Sequence, residues 1–231
     1  LKPFNPKEKV IEFLIADNNK KSLVDMTCTG FANETASESP APGGGSISAY
    51  VGALGASLGT MVANLSSHKA GWDERWEEFS KWAEKGQAIK DQLLFLVDED
   101  TNAFNKIMDA LGMPKKTEEE KNARKAALEA ASKYAIEIPF KVMNVAFSAF
   151  EVVEAMAKTG NPASVSDAGV GAMCCRTAVM GAYLNVKINA AGINDREFAD
   201  NMVAQGAKIE IAAMEKETEI LKIVNAIINK E

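Results

Sequence analysis

From Ile47 to Leu65 the chain carries no charged residue, and the run ISAYVGALGASLGTMVANL is long enough as a helix to cross a bilayer. Few folds can house such a stretch. Gly52, Ala53, Gly55, Ala56, Ser57, Gly59 and Asn64 make it small and wet rather than leucine-rich, and neither an aromatic belt nor a charge asymmetry flanks it. Small residues let neighbouring helices approach closely, so the run reads as the central buried helix of a soluble protein rather than a membrane span.

The remaining sequence agrees with a helical surrounding. Glycines and prolines cluster at Asn5-Pro6, Pro40 to Gly45, Gly112 to Pro114, Pro139 and Gly160 to Pro162. The stretches between them predict helices at about 6–16, 22–33, 46–67, 72–111, 117–136, 139–158, 164–190 and 195–229. No run of alternating β-branched and aromatic residues lies between turn residues, and there is neither an internal repeat nor a low-complexity linker. The expected fold is all-α: a long-helix bundle with a buried central helix, and with enough apolar face left over for a homodimer. Residue 1 is Leu rather than Met, which leads us to expect a domain cut from a longer polypeptide. Residues 1–21 would be an N-terminal linker or helix, and 22–231 the functional domain.

Charge and cysteine usage narrow the functional classes. The formal charge is -6, whereas a phosphate-tracking protein shows a clustered basic stripe, so nucleic acid is not an expected partner. The three cysteines have no CxxC spacing and His68 is the one histidine, so the common zinc ligand sets cannot be assembled. No basic region followed by an apolar one marks a secretory signal. A cytoplasmic protein with reduced thiols, no structural metal and no membrane partner is expected.

Three constellations could carry chemistry. Pro42-Gly43-Gly44-Gly45-Ser46 stands directly before the uncharged helix, with Ser46 placed as a natural N-cap. Bare backbone N–H groups at a helix start suit an anion or an electron-rich ring. A flexible turn into a crowded helix accounts for the same residues, and spacing leaves both readings open. Further on, Leu93, Val97, Asp100, Phe104, Ile107 and Leu111 follow the spacing of a buried stripe, which sets the Asp100 carboxylate among apolar neighbours while Asp98 points nearly the opposite way. Desolvation raises such a carboxyl toward the range useful for proton transfer. A structural Asp capping a neighbouring helix is the other reading.

The third constellation is Gly160-Asn161-Pro162 to Asp167 and the helix after it. Asp167 reads as a helix cap, and Asn185 and Asn189, four residues apart, could turn both amides into one pocket or decorate an exposed face. Lys115, Lys116, Lys121, Arg124 and Lys125 form a basic cluster. Interleaved Glu118, Glu119 and Glu120 favour a solvated face over a landing site for an acidic tail. Vicinal Cys174 and Cys175 are assigned to packing, and His68 to the surface or a helix end.

In their order and spacing, several of these pieces resemble formiminotetrahydrofolate cyclodeaminases. They are Ala41 to Ser46, Leu96-Val97-Asp98-Glu99-Asp100 with Ala103-Phe104, Gly160-Asn161, Ser166-Asp167, and Gly181 to Val186; the likeness runs from about residue 22 to the end. The same family includes stand-alone methenyltetrahydrofolate cyclohydrolases of the serine-cycle type. The resemblance implies an all-α homodimer binding folate in a cleft near the subunit interface, with no prosthetic group. It implies a lyase that converts 5-formiminotetrahydrofolate to 5,10-methenyltetrahydrofolate and releases ammonia, a late step of histidine breakdown. It makes Asp100 the catalytic aspartate and lays Pro42, Gly43, Gly44, Gly45, Ser46 and Asn185 against the folate. An upstream glutamate formiminotransferase domain or subunit and a polyglutamate tail over the basic cluster are further expectations. The rival readings are the cyclohydrolase and a helical dimerisation module that binds no folate.

Overall fold

The computed structural model describes residues 22–230; the segment 1–21, with its expected helix at 6–16, lies outside them. Among the described residues there is no strand. Six α-helices follow in order: α1 (Cys28–Thr35), α2 (Gly44–Ser67), α3 (Trp76–Gly112), α4 (Glu118–Thr159), α5 (Val165–Ala191) and α6 (Arg196–Asn229). This is the expected all-α bundle of long helices.

Two helix boundaries differ from expectation. The helix placed at 22–33 starts only at Cys28, where Thr27 accepts the Gly30 N–H at its side-chain oxygen, and Leu23–Asp25 is a separate 3-10 turn. The helices placed at 117–136 and 139–158 are one, α4, with Pro139 in its interior. A proline has no N–H for the carbonyl four residues back, which here is Ala135's. Asn189 Nδ2, reaching across from α5, donates to that oxygen at 2.7 Å. A tertiary hydrogen bond thus replaces the missing helical one, and the helix runs through. Its start is firm, because Thr117 and Glu120 form a reciprocal capping box.

α4 is the spine, packing against α2, α3, α5 and α6. α2 is the helix the others close around: a methyl group added at Gly52 would meet Ala178 of α5 at 3.1 Å, Leu93 of α3 at 3.3 Å and Ala146 of α4 at 3.4 Å. Ala49, Ala53, Ala56, Val62 and Ala63 are wholly buried along it. By length and composition α2 could cross a membrane, but most of it is enclosed by the bundle. Its outer face is not enclosed, and Leu54, Met61 and Leu65 are exposed there. Larger side chains, among them Phe79, Leu93, Leu96, Met143 and Phe150, fill the core beside the small ones. Burying each such chain stabilises the fold by about 1.5–3 kcal/mol. The two kinds of residue divide the work: α2 sets the close helix spacing and its neighbours supply the apolar bulk.

Candidate active site

Three acidic residues in a row on α3 are turned in three directions by the helical rotation of about 100° per residue. Asp98 accepts from Ser22 Oγ at 2.7 Å and from the Leu23 N–H at 2.6 Å, tying down the start of the described chain. Glu99 accepts from the Tyr134 hydroxyl of α4 and from Asn102 Nδ2 at 3.2 Å, with Lys106 Nζ 3.7 Å away. Burial alone would raise the Glu99 carboxyl, but the bonds from Tyr134 and Asn102 and the charge of Lys106 outweigh it and hold it below the usual range. The Tyr134 phenol is pushed up to about 12, first by its bond to Glu99 and then by burial.

Asp100 faces the start of α2. Burial pushes its carboxyl above the usual carboxylate range, while the hydroxyl and then the backbone N–H of Ser46 draw it back. The positive end of the helix dipole acts in the same direction as Ser46. Desolvation prevails, which moves the Asp100 carboxyl toward the range in which a side chain can both accept and return a proton. The close approach depends on Gly45, because a Cβ built there would lie 2.1 Å from Asp100 Oδ1. Any side chain at that position must displace the carboxylate.

Between α2, α3 and α5 opens a cavity of about 180 Å³, walled by Gly43, Gly44, Gly45, Asp100, Phe104 and Asn185 among others. Asp100 is the one ionisable side chain lining it among the described residues. Asn185 Nδ2 donates to the Gly181 carbonyl at 2.9 Å, and the same amide nitrogen lies 3.4 Å from where a Gly44 Cβ would sit. The structure therefore brings Gly43, Gly44, Gly45, Asp100 and Asn185 to one place.

Pro42 and Ser46 do not line this cavity; both are buried behind it. Ser46 is not the N-cap of α2 either. Gly44 and Gly45 are themselves helical, so the helix begins earlier, Gly43 is the cap, and the Ser46 hydroxyl reaches α3 instead. Asn189 borders the cavity with its amide nitrogen committed to Ala135. Asp167 is the third residue of α5, whose cap is Ser164. The Gly160-Asn161 corner belongs to the far end of α2, where the Asn161 N–H donates to Ser66 Oγ at 2.7 Å. The apolar stripe of α3 is only half buried: Leu93 and Val97 are in the core, whereas Phe104 is 43% exposed because this face of α3 borders the cavity beyond Asp100. Thr101 also lines the cavity and was not singled out by sequence, having no patterned chemistry to show; Pro40 and Ala41, at the start of the glycine run, line it too.

The basic cluster has a place in this geometry. Lys115, Lys121, Arg124 and Lys125, but not Lys116, border a second hollow of about 350 Å³, where one carboxylate, Glu129, joins them together with Ser132 and Gly192. Ser132 lies one helical turn from Ala135 on α4, and Gly192 one turn beyond Asn189 at the end of α5. Ala135 and Asn189 border the Asp100 cavity, so the two hollows are neighbours along the α4–α5 seam. Cys175 is wholly buried beside Gly55 and Cys174 half-buried, which agrees with packing. His68 is the exposed C-cap of α2.

A bundle that holds one desolvated carboxyl over a glycine floor, beside an amide and a cationic hollow, has the equipment of an enzyme that moves protons on a small molecule. The sequence matches the formiminotransferase-cyclodeaminase family over residues 27–208, and the chain belongs to that family. It is 36% identical over 201 residues to the formimidoyltransferase-cyclodeaminase of Mus musculus, covering 87% of this chain and 37% of that protein. It is likewise 36% identical over 179 residues to the methenyltetrahydrofolate cyclohydrolase of Methylorubrum extorquens, covering 78% of this chain and 86% of the relative. The crystal structure of the formiminotetrahydrofolate cyclodeaminase of Thermotoga maritima has the same fold, with a TM-score of 0.77 at 28% identity over 89% of this chain and 99% of that one. The chain thus spans well under half of the mouse protein, most of the cyclohydrolase and nearly all of the Thermotoga protein.

Proposed function

We propose that this domain converts 5-formiminotetrahydrofolate to 5,10-methenyltetrahydrofolate and releases ammonia. The observation that carries the reading is the placement of Asp100, the single ionisable group among the described residues that line a cavity whose floor has no side chains to obstruct a flat ring. N10 of the substrate attacks the carbon of the protonated formimino group (N5–CH=NH2+), leaving an amino group on a tetrahedral carbon, and gives up its own proton to the Asp100 carboxylate. Asp100 then hands that proton to the amino group, the C–N bond breaks, and ammonia leaves as the methenyl bridge forms. One carboxyl with a raised pKa serves both steps.

The cavity is smaller than the roughly 300–1,000 Å³ common for drug-sized ligands, so it holds only the reacting end. Exposed Phe104 gives an apolar shelf beside it, and the cationic hollow one turn further along the seam gives a seat for the glutamate tail. If the tail sits there, a polyglutamylated substrate has a lower KM than the monoglutamate. Equal KM values for the two forms would remove the tail from this hollow.

The uncovered faces of α2 and α5 support a homodimer. Leu54, Met61 and Leu65 of α2 are exposed, as are Met173, Leu184 and Ile188 of α5. The two helices touch along their length, through Gly55 and Gly171 at one point and Gly44 and Asn185 at another, so their apolar residues form one face ending at the cavity. A second copy seated there would wall in the folate. Sedimentation of the wild type as a dimer and of Leu54→Glu as a monomer is the expected result; a monomeric wild type would oppose it.

The likeness to the cyclohydrolase, which this chain matches over most of its length, favours a second reading in which water adds to the methenyl carbon. Recording the methenyltetrahydrofolate absorbance and ammonia together, on enzymatically made 5-formiminotetrahydrofolate, separates the two. Both signals rise for a cyclodeaminase. Ammonia silence with faster loss of supplied methenyltetrahydrofolate identifies a cyclohydrolase, and silence in every channel with no folate binding leaves a dimerisation module.

A further inference from the structure

Ser46 is wholly buried and polar, and it touches the proton-transfer group from behind. Its hydroxyl oxygen lies 2.8 Å from the Val97 carbonyl oxygen, 3.2 Å from Asp100 Oδ2 and 3.4 Å from Thr101 Oγ1. A serine hydroxyl has one proton to give. The Val97 carbonyl accepts only, and so does an ionised Asp100, whereas the more distant Thr101 hydroxyl can itself donate to Ser46; the Ser46 proton therefore serves the carbonyl or the carboxylate. Val97 lies inside α3, where its carbonyl also faces the helical N–H of Thr101, and turning the hydroxyl away leaves no orphaned acceptor.

The strength of the competing bond depends on charge. A hydrogen bond to an ionised carboxylate is roughly twice as strong as one between neutral groups. No other ionisable side chain faces Asp100 among the residues described: α2 presents Gly45 and Ser46, α5 presents the neutral amides of Asn185 and Asn189, and α4 presents Ala135. On α3 itself, Asp98 is turned to Ser22 and Leu23, and Glu99 to Tyr134, Asn102 and Lys106.

We propose that Ser46 is a positioning residue for Asp100, turning its one hydroxyl proton to the carboxylate when Asp100 is ionised and to the Val97 carbonyl when Asp100 is protonated. The inference rests on the reading of Asp100 as the proton carrier. The hydroxyl keeps its own proton throughout; only the direction of the O–H changes as a proton arrives on Asp100 and leaves again. The base form is held in place while it waits for substrate, and the acid form is released from Ser46 as it donates.

The test is a carbon-13 NMR titration of the Asp100 carboxyl in the full chain, assigned by the signal missing from Asp100→Asn. In Ser46→Ala the ionised form alone loses a strong donor, so the midpoint moves upward. In Ser46→Cys, nearly the same size with a weaker donor, it moves the same way by less. In Ser46→Ala the acidic limb of the turnover–pH profile moves upward with that midpoint, while KM is unchanged. Titration curves of Ser46→Ala and Ser46→Cys that superimpose on the wild type overturn the proposal. The NMR reading needs no turnover, so it stands apart from whether folate is the substrate.

Discussion

Two positions along α2 use glycine for different purposes. At Gly55, halfway along, the absent side chain lets two backbones meet: a Cβ would lie 2.8 Å from Cys175 Sγ and 2.9 Å from the Gly171 carbonyl oxygen. At Gly45, in the first turn, it lets a functional group meet backbone, with Asp100 Oδ1 at 2.1 Å from the same kind of phantom atom. The first is a packing device between two helices, and the second makes room for a carboxylate beside the positive end of a helix. Loss of Gly55 should therefore harm stability, and loss of Gly45 chemistry.

Substitutions can break that contrast. Gly45→Ala has the largest expected effect: displacing the carboxylate lowers turnover by about 100-fold. Its thermal midpoint stays near the wild-type value, because alanine's helix preference over glycine, about 1 kcal/mol, offsets the local crowding. A thermal midpoint that fell with activity left intact would reverse the assignment. Gly55→Ala overpacks the α2–α5 crossing at a cost of about 1–3 kcal/mol, read as a lower midpoint in thermal or denaturant unfolding. Its turnover per folded molecule is unchanged.

Smaller effects sharpen the difference between neighbouring carboxylates. Tyr134→Phe removes a donor from Glu99 and costs about 1 kcal/mol in denaturant unfolding, with little change in kcat. The Glu99 carboxyl rises in that variant. The smallest effect is the pH dependence of stability from Asp100. Its folded-state pKa is raised above the unfolded value, so its contribution is fully present below the ordinary carboxylate range and is lost as pH rises through the folded pKa. Asp100→Asn is accordingly slightly more stable than the wild type at neutral pH, and the advantage shrinks in acid, as thermal midpoints at a series of pH values would show.

How much of this was legible in the sequence varies by feature. The uncharged small-residue run fixed α2 as a buried helix, since local composition alone excluded the alternatives. Asp100 was visible from helical spacing, because a carboxylate on an apolar stripe stands out whatever the tertiary context. Spacing could not tell its two readings apart, and the geometry shows why: Asp100 sits at the start of α2 as a capping residue would and also faces the cavity. Pro139 misled, because the repair of its lost hydrogen bond comes from Asn189, far along the chain. Asn189, left open between a pocket and an exposed face, serves instead to repair α4. Ser46 was read as a cap because capping rules are local, whereas its hydroxyl partner is the Val97 carbonyl of α3. Tyr134 gave no signal at all; its bond to Glu99 exists only once α3 and α4 lie side by side.

The central claim is that Asp100 carries the proton between the two nitrogens, and one measurement tests it most directly. Asp100→Asn, shown to be folded by its thermal midpoint, is given 5-formiminotetrahydrofolate and followed by methenyl absorbance. Turnover reduced by about 100-fold or more is the predicted result. Turnover near the wild-type rate in the folded variant would contradict the account.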